Sequence, residues 1–297
     1  MVSAIVIYNK IYNEINNPNY VNKCIAKYFN DKWKMQLNDY LITLSNIIIQ
    51  EEDSIFSEFY IKCIELIVSI LEIDNREREI LVYYKKCVNH LEKNKDNEMV
   101  CIYYQKIIDI YIKYNEYLEI ANIYKNIATI YENNYNIDSS IENFLKALFY
   151  YKLLNNTYEI ENINYNLARL YIILSNYNVS ISYLQFIIIQ NLNYRIDKKW
   201  LNYILLYFLL KIIKVLEDGS MNDLFKELQN NNQFFGFSGT EEYAFILNII
   251  SSIRNKDIEH FRIEIHRYTT NYLNKSPIEF ICKTLFIEIN KRFFKFL

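Results

Sequence analysis

The chain has 297 residues, of which 52% are hydrophobic and 23% charged, with a net charge of −2. Its 3 Gly and 2 Pro are too few for the turns of a β-sandwich or barrel, or for the glycine loops of a Rossmann fold. An all-helical, soluble chain follows, and near-neutral charge without a basic run excludes a nucleic-acid binder.

The predicted elements form a series of helical hairpins. The first covers residues 2–30, and its apolar start lacks the basic flank and cleavage site of a signal peptide. Units at 32–73, 75–114, 116–153 and 157–191 follow, then 197–230, 238–272 and a last helix from 277. In 137–153, Ile141, Phe144, Leu145, Leu148 and Tyr151 keep the spacing of one buried helix face. A step back of about forty residues, a solenoid-sized period, meets Cys101, Tyr104, Ile108 and Tyr111. A second step meets Ile61, Ile64, Val68 and Leu71. Forward steps meet Ile181, Leu184 and Ile188, then Met221, Leu224 and Leu228.

The partner helix of each unit repeats as well. Tyr124, Ala128 and Tyr131 correspond to Tyr84, Val88 and Leu91 before them and to Asn164, Ala168 and Tyr171 after. Ala128 and Ala168 are predicted where the two helices of a hairpin approach closely. The tyrosine stripe is assigned to the core. Short polar joints, such as 133–136 and 155–157, separate the helices. Asp218-Gly219 reads as a helix stop and Ser220-x-x-Asp223 as a restart. Ser238 to Glu241 reads as a capping box, and Ser276-Pro277-Ile278-Glu279 as a helix start. Leu201 to Leu216 carries Lys211 and Lys214 and is shorter than the ~20 apolar residues of a membrane span. It is predicted to be a buried helix. The fold class is therefore all-α: a right-handed solenoid of tetratricopeptide-like antiparallel hairpins over 1–230, ending in a short helical bundle over 231–297, as one continuous domain.

Catalytic signatures are absent. There is no phosphate-binding glycine loop and no nucleophile elbow. Cys24, Cys63, Cys87, Cys101 and Cys282 lack a C-x-x-C pattern and read as reduced thiols in the cytosol. Cys87 and His90 share a helix face without further ligands nearby, and His260 and His266 lie on different faces. The acidic clusters at Glu51 to Asp53 and Glu241-Glu242 read as helix starts. No enzyme, cofactor or metal is expected.

Two stretches carry a resemblance. Ile108-Asp109-Ile110-Tyr111 is followed by Ile120-Ala121 and by Ile127-Ala128-Thr129-Ile130-Tyr131-Glu132. Further on comes Phe235-Gly236-Phe237-Ser238-Gly239-Thr240-Glu241-Glu242, with Asp257 at the start of a following helix. The chain resembles the soluble NSF attachment proteins (SNAPs) over roughly 75–285, nearer the gamma than the alpha type. The resemblance implies an adaptor without chemistry of its own. It would bind the SNARE four-helix bundle and recruit the hexameric ATPase NSF in vesicle fusion and intracellular transport, in the cytoplasm and peripherally at membranes. A tetratricopeptide-like scaffold for an unrelated partner is the alternative.

Departures from the alpha type are specific. Positions matching its groove cations are here Glu116, Asn122, Asn162 and Asn166, so Lys113, Lys125 and Arg169 become the candidate SNARE-binding face. The phenylalanine- and glycine-rich N-terminal membrane loop of that type has no counterpart, since 16–20 is short and polar. The C-terminus is basic and aromatic rather than acidic: Lys291-Arg292-Phe293-Phe294-Lys295-Phe296-Leu297. This tail is read either as a packed terminal helix or as a surface facing NSF or a membrane.

Overall fold

A computed structural model describes residues 2–16, 31–51, 57–190, 197–218, 221–230, 236–273 and 279–296. The helices are α1 (Val2–Ile15), α2 (Asp31–Glu51), α3 (Ser57–Ile73), α4 (Glu77–Lys93), α5 (Asn97–Lys113) and α6 (Tyr117–Asn133). Then come α7 (Ile137–Leu153), α8 (Thr157–Ile173), α9 (Tyr177–Gln190), α10 (Lys198–Asp218) and α11 (Met221–Asn230). A 3-10 turn (Phe237–Gly239), α12 (Glu241–Arg254), α13 (Ile258–Tyr268), a π turn (Thr269–Leu273) and α14 (Glu279–Phe296) complete the described chain. The predicted all-α fold is borne out, and no strand occurs among the described residues. The chain divides into two compact units, Met1–Asn136 and Ile137–Leu297.

The joints explain how so few glycines suffice. Asn75, Lys95, Asn115, Tyr135, Asn155 and Ser175, each twenty residues after the last, all have φ between 51° and 60°. Each follows a helix end, and the next residue's N–H reaches back five residues to close the turn. Examples are Asp96 N to Leu91 O at 3.0 Å and Asn176 N to Tyr171 O at 2.8 Å. This is the Schellman pattern, which usually places glycine in the left-handed position. Here Asn, Lys, Tyr and Ser occupy it. At two of these joints the following side chain caps the next helix: Asp96 accepts from Met99 N, and Asn156 from Glu159 N, both at 3.2 Å.

Left-handed backbone costs a side chain about 1–2 kcal/mol, and glycine returns about 0.5–1 kcal/mol of that as chain entropy. Tyr135 is 90% exposed, so its ring holds little else in place. Tyr135→Gly is therefore expected to stabilise the fold by about 0.5–1 kcal/mol. Thermal melting reads the gain, and a lowered melting temperature would refute it.

Within the first unit, consecutive helices from α2 to α6 pack in antiparallel pairs, and α1 lies against α2 and α3. The repeat positions fall on the core side as the spacing predicts. Ile64, Val68, Leu71, Tyr104, Ile108 and Tyr111 are buried here, as are Phe144, Leu148, Tyr151, Leu184 and Ile188 in the second unit. Leu145 is the exception: it is 41% exposed, one position round the helix from the buried stripe. The close approach at Ala168 is real. The Ser180 hydroxyl on α9 donates directly to the Ala168 carbonyl on α8 at 2.9 Å, across a space that a larger side chain would fill.

The tyrosines are core residues with a polar end. Tyr103 Oη donates to Glu65 Oε1 at 2.9 Å, and Tyr203 Oη to Glu161 Oε1 at 3.1 Å. Each pair lies about one repeat apart, so the ring fills the core while the hydroxyl ties one hairpin to the next.

In the second unit α10 is the central helix. From Tyr203 to Leu210 every side chain is buried, with α9, α11, α12 and α14 packed around it. Each such side chain contributes roughly 1.5–3 kcal/mol on burial. Lys211 remains tolerable because its ammonium lies 2.5 Å from Glu227 Oε2 and over the Tyr207 ring. No helix among the described residues is long and apolar enough to cross a membrane.

Two sequence readings change. Thr240, not Ser238, caps α12, accepting from Tyr243 N at 3.2 Å, because Phe237–Gly239 is drawn into a 3-10 turn. Glu51 ends a helix instead of opening one. Cys24, the loop from 17 to 20, Glu52, Asp53, Gly219, Ser220, Phe235, Ser276, Pro277, Ile278 and Leu297 lie outside the described residues.

Candidate functional site

The forty-residue register gives comparable outward positions on three helices, α4 and α6 in the first unit and α8 in the second. On α4 the outward positions are Arg78, Val82, Lys86, Asn89 and Lys93. On α6 they are Leu118, Asn122, Asn126, Thr129 and Asn133, and on α8 they are Tyr158, Asn162, Asn166, Arg169 and Ile173. All are exposed or half-buried, and each set follows the spacing of a single helix face.

Of the predicted face residues, Arg169 is one of the α8 positions in the second unit, and Lys125 lies on α6 in the first unit beside the positions named there, its carbonyl accepting from Thr129 Oγ1 at 3.0 Å. Lys125 on α6 and Arg169 on α8 are both half-buried and one helical turn apart in the repeat register. Arg169 lies near Tyr165, whose hydroxyl burial pushes up to about 12 while the guanidinium pulls the other way. Lys113 is placed differently. It ends α5, the other helix of its hairpin, where a cation suits the helix dipole. Its Nζ is 2.5 Å from Glu77 Oε1, which holds the Glu77 carboxyl below its ordinary value. Glu72, Glu77 and Asp109 line the same shallow recess, with Lys106 as the other cation. Lys113 is thus an ion-pair partner on a separate face.

Sequence reasoning missed four cations. Arg78, Lys86 and Lys93 occupy α4 positions in register with the α6 and α8 stripes, and a third step of the same period finds them. Lys199 comes from α10, yet its Nζ donates to Asn162 Oδ1 at 3.1 Å and pairs with Glu161 at 2.6 Å. It also lies 5.4 Å from the ring of Tyr158, which is 66% exposed. A positive charge that position 162 lacks in sequence is supplied beside it in space. Only a contact 37 residues away in sequence reveals it.

The basic aromatic tail divides residue by residue. Phe293 is fully buried and meets the Phe261 ring edge-on at 5.2 Å, so it faces the core and not NSF or a membrane. Apolar packing outweighs its place in the charged run. Arg292 pairs with Glu288 at 2.6 Å and lies over the Tyr177 ring. Lys291 and Lys295 are exposed, and Phe294 is partly exposed beneath the Arg262 guanidinium. Phe296 ends α14, and nothing is described of its side chain.

The motif at 236–242 is an anchor. Gly236 has φ 81°, which a side chain would strain. Phe237 is 1% exposed and stacks parallel to Phe208 of α10, with ring centroids 6.2 Å apart. Thr240 Oγ1 donates to the Phe237 carbonyl at 2.9 Å and caps α12. Gly239 has open space around it, so packing does not demand glycine there. Asp257 caps α13 where the motif comparison expects a helix start, accepting from His260 N at 2.9 Å.

The weaker chemical candidates have structural roles. His90 is buried and stacks on Tyr60 at 4.3 Å, while burial pushes the Cys87 thiol up to about 12. His260 Nδ1 shares a hydrogen bond with Ser252 Oγ at 2.6 Å. Among the described residues no group of three or more His, Cys, Asp or Glu is placed to hold a metal ion.

The model of the family described as "Soluble NSF attachment protein, SNAP" matches residues 56–275. No curated protein matches the chain in sequence. Among solved structures, the crystal structure of BtubC (BKLC) from P. vanneervenii is similar at 11% identity and a TM-score of 0.37, over 74% of this chain and 91% of that one. A Rap protein complexed with Competence and Sporulation Factor is similar at 12% identity and a TM-score of 0.39, over 99% and 96%.

Proposed function

The chain belongs to the soluble NSF attachment protein family, and from that membership we propose that it is a SNAP-type adaptor of the gamma kind. It binds the SNARE four-helix bundle along its helical hairpins and recruits the hexameric NSF ATPase, which takes the bundle apart during vesicle fusion and intracellular protein transport. It works in the cytoplasm, peripherally at membranes, and catalyses nothing itself. The observation that carries this reading is the family match across most of the chain, from 56 to 275. Stacked hairpins suit the task, since within each unit their cores join neighbour to neighbour.

In this reading the SNARE-facing cations are Arg78, Lys86, Lys93 and Lys125 in the first unit and Arg169 and Lys199 in the second, while Lys113 is held by Glu77 on a separate face. Reversing Lys113, Lys125 and Arg169 together to glutamate is expected to weaken SNARE-complex capture about tenfold or more at low salt. Unchanged capture would remove these residues from the face. A second triple reversal, at Arg78, Lys86 and Lys93, tests the extension onto α4 separately.

The adaptor reading as a whole rests on co-sedimentation with SNARE complex and NSF under non-hydrolysed ATP. A ternary complex that ATP hydrolysis releases supports it. A folded chain that joins neither partner would instead be a scaffold for another client.

A further inference from the structure

The outward side of α7 carries apolar side chains that the repeat does not require. Its exposed positions include Glu142, Leu145, Phe149, Lys152 and Leu153, which keep the spacing of a single helix face. Phe149 is 58% and Leu153 54% exposed, and Leu145 is nearly as open. One period earlier and one period later, glutamine takes the place of Leu145, as Gln105 and Gln185. The repeat is therefore built equally well with a polar residue at that position. On α9, which packs with α7 onto α8, Phe186 and Ile189 are exposed as well. Lys152 Nζ lies 5.9 Å from the Phe186 ring, so the two helices share one patch. Single exposed apolar side chains are ordinary surface, whereas a contiguous group of them marks an interaction site.

We propose that this side of α7 is a contact between two copies of the chain, packed antiparallel about a two-fold axis. The order of charges along the helix selects a second copy as the occupant. Glu142 stands three residues before Leu145, and Lys152 stands three residues after Phe149. A two-fold axis midway between Leu145 and Phe149 sets Leu145 of each copy against Phe149 of the other. The same rotation brings Glu142 against Lys152 twice, so the stripe complements itself. A parallel pairing would instead set like charges together. Glu142 is 2.7 Å from Lys146 within its own helix, an exposed pair of the kind that is worth little in water and readily exchanged. A stable pair covers about 800 Å2 on each partner, with an apolar centre and a charged rim. Leu145, Phe149, Leu153, Phe186 and Ile189 supply that centre, and Glu142, Lys146 and Lys152 supply the rim. The proposal does not depend on the adaptor reading, because self-association needs neither SNARE complex nor NSF.

The test is sedimentation equilibrium of the full chain alone, from micromolar to submillimolar concentration. A monomer–dimer equilibrium is expected, weakened about tenfold or more by Phe149→Glu. Phe149 is exposed, so the melting temperature should not move, and Phe149→Gln provides a milder variant if the charge disturbs folding. Glu142→Lys and Lys152→Glu should each weaken the dimer, since each sets like charges opposite one another. The two single variants mixed together should pair again, as should the double exchange within one chain. A natural chain that stays monomeric throughout overturns the proposal. A dimer that Phe149→Glu leaves intact also overturns it, as do charge exchanges that fail to recover on mixing.

Discussion

Replacing Phe237 by alanine is expected to destabilise the chain by about 3–5 kcal/mol, the cost of deleting a fully buried aromatic ring. The ring is 1% exposed, stacked on Phe208 and met edge-on by Tyr243 at 5.6 Å. Phe208 is itself fully buried on α10, so the cavity would open beside the central helix of the second unit. The backbone there cannot relax freely. Gly236 holds its left-handed turn on one side, and Thr240 ties the Phe237 carbonyl to the start of α12 on the other. A Phe237→Leu variant refills most of the volume and should lose about half as much. Urea unfolding followed by circular dichroism measures both. A loss below about 1 kcal/mol for alanine would mean that the motif is not the anchor described.

Alkaline conditions should be as disruptive. Burial raises the phenols of Tyr84, Tyr104 and Tyr165 to about 12, and those of Tyr103, Tyr203 and Tyr268 further still. Burial likewise lifts the Cys87 thiol to about 12. At Tyr103, Tyr104 and Tyr203 the hydroxyl also donates to a carboxylate, which a phenolate would have to face. In the unfolded chain phenols ionise near ~10 and thiols near ~8.5. The unfolded state therefore releases these protons first and binds fewer of them than the folded state as pH rises. Stability is level below about pH 8.5 and falls above it, by about 1.4 kcal/mol per pH unit for each group that differs. Four buried phenols acting together lose roughly 4 kcal/mol between about pH 10 and 11, a large part of the stability of an ordinary domain. Denaturant midpoints across pH 8 to 11 should show that decline, and tyrosinate absorbance should rise together with unfolding. Phenols that titrate near pH ~10 in a chain that stays folded would contradict it.

Much of this architecture is legible in the sequence because helix formation is local. The apolar spacing of Ile141, Phe144, Leu148 and Tyr151, repeated one step earlier and one step later, depends only on which side chains share a helix face. Ala168 was readable as a close approach for the same reason, since a small residue on an otherwise large stripe leaves room for a neighbour. The α12 cap was misplaced because Ser238 and Thr240 both suit an N-cap. The choice belongs to Phe237, whose burial commits the intervening residues to a 3-10 turn. Leu145 looks like core by hydropathy, but it lies at the rim of the stripe.

The candidate site was less legible. Lys113, Lys125 and Arg169 were all chosen for their nearness in sequence to Glu116, Asn122, Asn162 and Asn166. The structure gives Lys113 to Glu77. Lys199 was invisible, since nothing local links it to Asn162. The tail read as one cationic aromatic run, whereas packing turns Phe293 inward and leaves Lys291 and Lys295 outside.

The scarcity of glycine is the clearest measure of that division. By itself the sequence determined an all-helical chain, its period and the places of its joints, because backbone hydrogen bonding and side-chain spacing act over a few residues. Only the tertiary structure decided that Asn, Lys, Tyr and Ser would carry the left-handed turns, at intervals of twenty residues from Asn75 to Ser175. Packed hairpins hold each of those joints and absorb a strain that an isolated turn would relieve with glycine. The same packing chose which tyrosine met which carboxylate, because partners some forty residues apart are set by how helices stack.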